Sequence, residues 1–467
     1  MIRFRFIKIL VLALFFAGCN KDAEIIILCT NDMHGQIDNF AKLSAYYKKL
    51  KSENPNTFLF SDGDLFSGNP LVDQYPEKGY PIVDIMNKTG YILSSIGNHE
   101  FDYGQEVLNE RIEQAEFQFI CANIKWNENS TLKPVEPYRI FNVNGVTMSV
   151  LGLIEVGSRG IPSTHPNNVK DLKFMSPAKT TGEYSFLANS NVFILLSHIG
   201  IEPDVNIAKK YPEVDVILGG HSHTKINNGM LENGVLITQA SSNLAYVGET
   251  RISVKKGKIV SKTNKLIDLN KLEDEDPEIK QLIDSYKAAD KGNRVIGQAA
   301  SKISGKKKLG ALMTDALTEM LDLDIAFLNS GGIRINSIPK GDVTLNTVYA
   351  LDPFGNDVVK LMMSYDEIEK FILKNQTILV SGINCTITSQ GKKKSVKILD
   401  KNGAALDKSK KYAVGMNSYI YSTYKFAHED EGIAMNVNTA DILIKYIENR
   451  KIINYGNADA RIIWSAN

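Results

Sequence analysis

"IIILCTNDMHG", Ile25 to Gly35, sets an apolar, β-rich run directly against an aspartate, a histidine and a glycine. Four further stretches repeat the form: "FLFSDGDLFSG" (58–68), "SSIGNHEFDYG" (94–104), "VFILLSHIG" (192–200) and "VDVILGGHSH" (214–223). In each, the apolar run reads as a buried strand and the Gly-, Asn- and Asp-rich tail as the loop that follows it. Helical stretches lie between them, such as "NFAKLSAYYKKLKSE", where Leu43, Tyr46, Tyr47 and Leu50 share one face. Strands alternating with helices predict an α/β domain, and in open α/β sheets functional loops gather beyond the carboxyl ends of the strands. Five segments spread over nearly 200 residues are thereby expected in one crevice.

Histidine is scarce: the chain has 7, and His34, His99, His198, His221 and His223 all fall in these loops. One Asp-x-His or one strand-end histidine is more often a cap or a hydrogen-bonding core group than a ligand. Several imidazoles and carboxylates crowded together are different, because without a cation they repel or go unsatisfied. The donors are nitrogen and oxygen with no thiolate, which suits Zn²⁺, Mn²⁺, Fe or Co²⁺ without choosing among them.

Outward from these loops, "YRIFNVNGVTMSVLGLI" reads as a hairpin turning at Asn144-Gly145, and the segment 234–267 as further strands. A sandwich of two sheets with outer helices accommodates both. Residues 268–292 form a charged amphipathic stretch with acids early and lysines late, the order a helix dipole favours, and are expected to be a connecting helix about which two domains close. From 293 to 467 a second α/β region has its own strands (325–328, 358–363, 413–416) and helices (309–321, 365–373). The lysine clusters 306–308 and 392–394 read as solvated turns.

At the other end, "MIRFRFIKILVLALFFAGCNKD" places Arg3, Arg5 and Lys8 ahead of a short apolar run, the layout of a secretory signal over residues 1–18. Phe16-Ala17-Gly18-Cys19 resembles a bacterial lipobox, so Cys19 is the expected lipidated N-terminus of a protein held at the cell envelope, facing the periplasm or the cell surface. Cys29, Cys121 and Cys385 have no short spacing and are expected as core thiols. With 54 basic and 53 acidic residues, no global field favours nucleic acid, and no protein partner is implied.

Taken in order, Asp32-x-His34, Gly63-Asp64, Gly97-Asn98-His99-Glu100, His198 and Gly220-His221-x-His223 resemble the motifs of the calcineurin-like metallophosphoesterases. More specifically, "NDMHG", "DGD", "GNHEFDYG" and "GGHSH" resemble the bacterial 5′-nucleotidase and UDP-sugar hydrolase family. The resemblance implies a four-layer α/β/β/α metallophosphoesterase sandwich over residues 24–267, followed by a smaller α/β 5′-nucleotidase C-terminal domain. It implies two divalent metal ions, one held by Asp32, His34, Asp64 and His223, the other by Asp64, Asn98, His198 and His221. His223 stands where many 5′-nucleotidases have glutamine. His99 would stabilise the phosphoryl oxygens or protonate the departing alkoxide, with Asp102 orienting its imidazole, while a hydroxide bridging the metals attacks phosphorus in line. Glu100 would be a supporting or merely solvated group.

In the second domain, "DIAFLNSGGIR" runs a strand into Asn329, a Gly-Gly turn and Arg334, and resembles that family's phosphate-contacting segment, with Gly332 in the turn. "DPFGN" then implies a stacking Phe354 and a base-bonding Asn356, and "LVSGI" places Gly382 in the pocket lining. In "SGKKKLG", where relatives often present a further arginine, the phosphate contact is lost or taken by a lysine. Tyr419 or Tyr421 would supply a second ring, and no clear equivalent of a ribose-binding aspartate follows. The resulting expectation is hydrolysis of nucleoside 5′-monophosphates to nucleoside and phosphate, in nucleotide catabolism. A 2′,3′-cyclic-nucleotide phosphodiesterase or nucleotide-sugar pyrophosphatase would share every ligand, and a non-catalytic nucleotide-binding lipoprotein is the rival of another class.

Overall fold

The computed structural model describes residues 22–375, 377–390, 393–458 and 460–466. The expected signal segment 1–18 and Cys19 lie outside them.

Two six-stranded sheets face each other in the first domain. One runs, edge to edge, Lys258–Asp268, Tyr246–Lys255, Ala23–Thr30, Thr57–Ser61, Leu93–Ser95, Gln118–Ile120; the other Met230–Glu232, Val235–Gln239, Val216–Gly219, Val192–His198, Val146–Ile154, Tyr138–Val143. The strands that carry the five motifs are mutually parallel within each sheet, so their carboxyl ends open on the same edge. Both faces of these strands are apolar because each sheet is covered twice. Ile25, Ile27, Cys29, Phe60 and Leu93 meet Val150, Ile194, Leu196, Val216 and Leu218 between the sheets. On the outer side of the first sheet, Ile26 and Leu28 pack against Phe40, Leu43, Tyr47 and Leu50 of the helix Phe40–Glu53. Leu195 and Ile217 pack against Ile207 and Ala208 of the helix Ile201–Lys210 on the outer side of the second. The layering is therefore α/β/β/α. The expected hairpin is present, with Asn144 at φ 53° and Gly145 at φ 81° between paired strands.

The second domain is built on a five-stranded sheet ordered Ile378–Ser381, Ile325–Asn329, Lys411–Asn417, Asp357–Ser364, Ile433–Asn438, flanked by the helices Lys306–Met320, Tyr365–Lys374 and Thr439–Arg450. Cys29, Cys121 and Cys385 are free and buried, as expected of core thiols.

Two expectations need correction here. Residues 258–268 are a strand, and the connecting helix is confined to Pro277–Ala289. It is not a free-standing connector: Ile279, Ile283 and Tyr286 join the core of the first domain, the Tyr286 hydroxyl donates to Asp84 at 2.8 Å, and Lys48 pairs with Asp276 at 2.6 Å. Its amphipathic pattern describes a helix docked on the sandwich, which leaves only residues 290–294 to pass between domains. Lys306, Lys307 and Lys308, expected in a solvated turn, form the first turn of the helix Lys306–Met320; Lys393 and Lys394 open the strand Lys393–Asp400, and Lys392 is outside the described residues.

Candidate active site

Sharp turns at the strand ends aim the motif side chains inward. Asp32, His34, Asp64, His221 and His223 all have φ between 49° and 69°, a region L-residues enter only when their surroundings hold them there. The surroundings do so with backbone ties: the Asp32 amide donates to Gly63 O at 3.1 Å and the His34 amide to Asp64 O at 3.0 Å. The His221 amide donates to both Asp32 carboxylate oxygens, at 3.1 and 3.0 Å. Glu100 is wholly buried, and its carboxylate accepts the amides of Asp64, Leu65 and Gly97 at 2.8, 2.6 and 2.6 Å. It therefore clamps two motif loops together. Gly97 must lack a side chain, since a Cβ there would come within 2.3 Å of Asp64 Oδ1.

All seven expected ligands meet at one place. Asp32, His34 and His223 form one group of converging donor atoms, Asp64, His198 and His221 another, and His34, Asp64 and His99 a third between them; within each group the donor atoms lie within 4.8 Å of one another. His34 Nε2 is 3.0 Å from His223 Nε2, His223 Nε2 is 3.2 Å from Asp32 Oδ1, and Asn98 Oδ1 is 2.9 Å from His221 Nδ1. The His198 Nδ1 proton goes to the Asp62 carbonyl at 2.5 Å, which turns Nε2 toward the side of Asp64. That buried nitrogen has no hydrogen-bond partner although it lies 3.1 Å from Asp64 Oδ2. An orphaned imidazole nitrogen and a carboxylate aimed at a common point, with the opposite ring nitrogen anchored to a carbonyl, are what a divalent cation requires. Burial, then the neighbouring His99, pushes the His34 pKa down to about 3, and burial with His198 lowers that of His221. Both rings are thus held in the neutral form that can coordinate.

His99 is poised differently. Burial disfavours its imidazolium, but Asp64 and Asp102 outweigh burial and raise its pKa. Its Nδ1 meets Asp102 Oδ2 at 2.6 Å, and its Nε2 lies 3.9 Å from Asp64 Oδ2. The ring borders a cavity of about 290 Å³ between the domains, whose opposite wall presents Asn329, Gly332, Arg334, Phe354, Asn356 and Tyr419. Phe354 faces His99 with ring centroids 6.0 Å apart, and the Arg334 guanidinium sits 5.7 Å from the Phe354 centroid and 3.4 Å from His34 Nδ1. A charged fork and an aromatic face from one domain thus stand over a cation site built by the other.

Two expected pocket residues are elsewhere. Gly382 lines a separate cavity beside Asp324, Asn384 and Asp400, and serves a close chain crossing: its φ is 85°, and a Cβ would lie 1.9 Å from the Asp324 carbonyl. Tyr421 packs on the core of the second domain and donates its hydroxyl to Glu431 O, so Tyr419 alone of the two faces the cavity. Nor does a lysine take the missing arginine's place: Lys306 donates to Ser330 O at 3.0 Å and Lys308 to Gly456 O, and neither lines the cavity. Sequence reasoning also missed Ser163, Thr164, His165 and Asn168, which form one wall. Their loop has no periodicity and no metal-ligand spacing, so nothing local marked it.

The calcineurin-like phosphoesterase family model matches residues 25–225, and that of the 5′-nucleotidase C-terminal domain matches residues 288–425. The NAD 5′-nucleotidase of Haemophilus influenzae is 26% identical, over 92% of this chain and 91% of its own length. The trifunctional nucleotide phosphoesterase protein YfkN of Bacillus subtilis is also 26% identical, over 88% of this chain; the chain spans only 33% of that protein, and 37% of the endonuclease YhcR of the same organism. Among solved structures, a 5′-nucleotidase precursor from Thermus thermophilus superimposes with a TM-score of 0.82 at 23% identity, over 95% of this chain and 99% of its own, a likeness of fold. With both matched regions in the same order as the two domains that enclose the cavity, this chain belongs to the calcineurin-like phosphoesterases that carry a 5′-nucleotidase C-terminal domain.

Proposed function

We propose that this chain is a two-metal phosphoric ester hydrolase that cleaves nucleoside 5′-monophosphates to nucleoside and phosphate. The observation that carries the reading is the shared cavity, in which the Asp64-centred ligand set and the His99–Asp102 pair face Arg334 and Phe354 across about 290 Å³. Asp32, His34, Asp64 and His223 would hold one ion and Asp64, Asn98, His198 and His221 the other. When bound, divalent ions supply Lewis acidity and a water of lowered pKa. The chain's own groups do the rest. Arg334 offers a forked cation to phosphoryl oxygens, and Phe354 and Tyr419 offer ring faces to a base. As the imidazolium, His99 holds a proton at Nε2 toward the leaving oxygen while Asp102 accepts the Nδ1 proton and keeps the ring charged and oriented. The names of the relatives, which describe nucleotide-cleaving proteins, support the same substrate class.

The test is phosphate release by the metal-reconstituted protein from AMP and other nucleoside monophosphates, UDP-glucose and 2′,3′-cyclic nucleotides. Turnover of monophosphates is expected. Turnover confined to cyclic nucleotides or nucleotide sugars would reassign the substrate, and binding without turnover under any metal would make the chain a nucleotide-capturing lipoprotein. The envelope location rests on the basic-apolar leader and Cys19. Among the described residues no helix is long and apolar enough to cross a membrane. Membrane fractionation of wild type and Cys19→Ser tests the anchor: the lipid-attached form sediments with membranes and the variant does not.

A further inference from the structure

The wall that the motifs did not announce holds two of the motif side chains in place. In the segment Glu155–Lys170, consecutive residues grip them separately. The Ser163 carbonyl accepts Asn98 Nδ2 at 3.3 Å, which turns Asn98 Oδ1 to the opposite side, toward His221. The Thr164 hydroxyl donates to Asp102 Oδ1 at 3.1 Å, while Asp102 Oδ2 is occupied by the His99 imidazole at 2.6 Å. A third contact, Asn168 Nδ2 to the Asp102 carbonyl at 3.3 Å, holds the backbone of the same residue. Asp102 therefore has each carboxylate oxygen assigned to a different partner, and rotation of the carboxylate would break both bonds.

The segment is itself anchored. The Glu155 amide donates to the His198 carbonyl at 2.8 Å, and the Glu155 carboxylate accepts the Ser163 amide. Thr164 is 2% exposed. Its neighbour His165 reaches across to Ser422 Oγ of the second domain at 3.4 Å, so the grip on Asp102 adjoins a contact between domains.

We propose that Thr164 is a positioning residue of the reaction: its hydroxyl fixes the Asp102 carboxylate, and through it the direction in which His99 presents its Nε2 proton to the leaving oxygen. The inference rests on the hydrolase reading above. It does not make Thr164 a catalytic residue, because among the described residues the hydroxyl's only partner is Asp102, and the imidazole intervenes. Loss of the hydroxyl leaves the metal-ligating side chains untouched. It frees the Asp102 carboxylate to turn, so the effect falls on substrates whose leaving group needs a proton.

Comparing leaving groups isolates that role. AMP must expel an alkoxide, whereas p-nitrophenyl phosphate expels a phenoxide that departs unprotonated. Thr164→Val is expected to lower kcat on AMP about tenfold, part of what a general acid supplies, with KM within about twofold and kcat on p-nitrophenyl phosphate within about threefold of wild type. Thr164→Ser restores the AMP rate, and metal content stays that of the wild type in both variants. If the valine variant does not fold, Thr164→Ala carries the same comparison. Equal losses on both substrates, or an AMP rate unchanged by removal of the hydroxyl, overturn the proposal while leaving the hydrolase reading standing. A wild type that turns over neither substrate overturns that reading, and this inference with it.

Discussion

The two walls of the interdomain cavity are built on different physical terms. On the metal side, five of the seven expected ligands have a left-handed backbone, and the loops are bonded to one another through main-chain amides and the buried Glu100 carboxylate. On the recognition side, Asn329, Arg334, Phe354, Asn356 and Tyr419 all have ordinary backbone angles, and Arg334, Phe354 and Tyr419 are partly exposed. Strained, cross-braced loops fix donor atoms at the spacing cations demand. Relaxed, partly exposed side chains suit a wall that must admit and release an organic group. The contrast shows where the fold keeps rigidity and where it leaves freedom.

If that division is right, the severest loss comes from Asp64, which faces both halves of the ligand set. Asp64→Ala is expected to abolish stoichiometric metal binding and reduce turnover more than about 10³-fold, the scale of several kcal/mol of lost charge stabilisation. Elemental analysis and phosphate release check it, and chelation of the wild type followed by metal addition should reproduce and then reverse the loss. His99→Ala, on the same wall but outside the ligand set, should retain metal and still lose about 10²–10³ in kcat on AMP. Retained turnover would remove the imidazole from the reaction. Phe354→Ala belongs to the relaxed wall: KM for AMP should rise about tenfold, as for the loss of one stacked base, with kcat on p-nitrophenyl phosphate unchanged. A fall in kcat on both substrates would mean that the second domain also organises the metal side, and the comparison would fail. Smallest of all, Tyr421→Phe removes one exposed hydrogen bond to Glu431 O, should cost less than about 1 kcal/mol in denaturant unfolding, and should leave KM unchanged because the ring faces away from the cavity.

Much of the first domain was legible because its signals are local. Each motif couples an apolar run to a loop of His, Asp, Asn and Gly, and parallel strands place such loops on one edge. Arg334 and Phe354 were legible only because "NSGGIR" and "DPFGN" resemble family segments; on local signals alone, a turn with an arginine reads as an ordinary surface turn. Gly382 misled because a turn motif specifies backbone shape and not the face of the sheet it serves; here it accommodates the Asp324 carbonyl. Tyr419 and Tyr421 are two apart on the short helix Ser418–Thr423, so they point to different sides, and only packing decides which side is the cavity. The connecting helix misled because the pattern of a solvated connector is also that of a helix docked by one face.

The sequence by itself determined the α/β/β/α layering, the second α/β domain and the residue types able to bind cations, since strand period, turn chemistry and side-chain donors are properties of short segments. Tertiary structure alone decided that Glu100 clamps two loops, that Thr164 and Asn168 hold Asp102, and that Arg334 comes within 3.4 Å of His34 from 300 residues away. Such contacts join groups whose separation along the chain carries no information about their meeting. They form because burial of apolar faces brings the sheets and domains together, and a buried polar group must then find whatever partner that packing supplies.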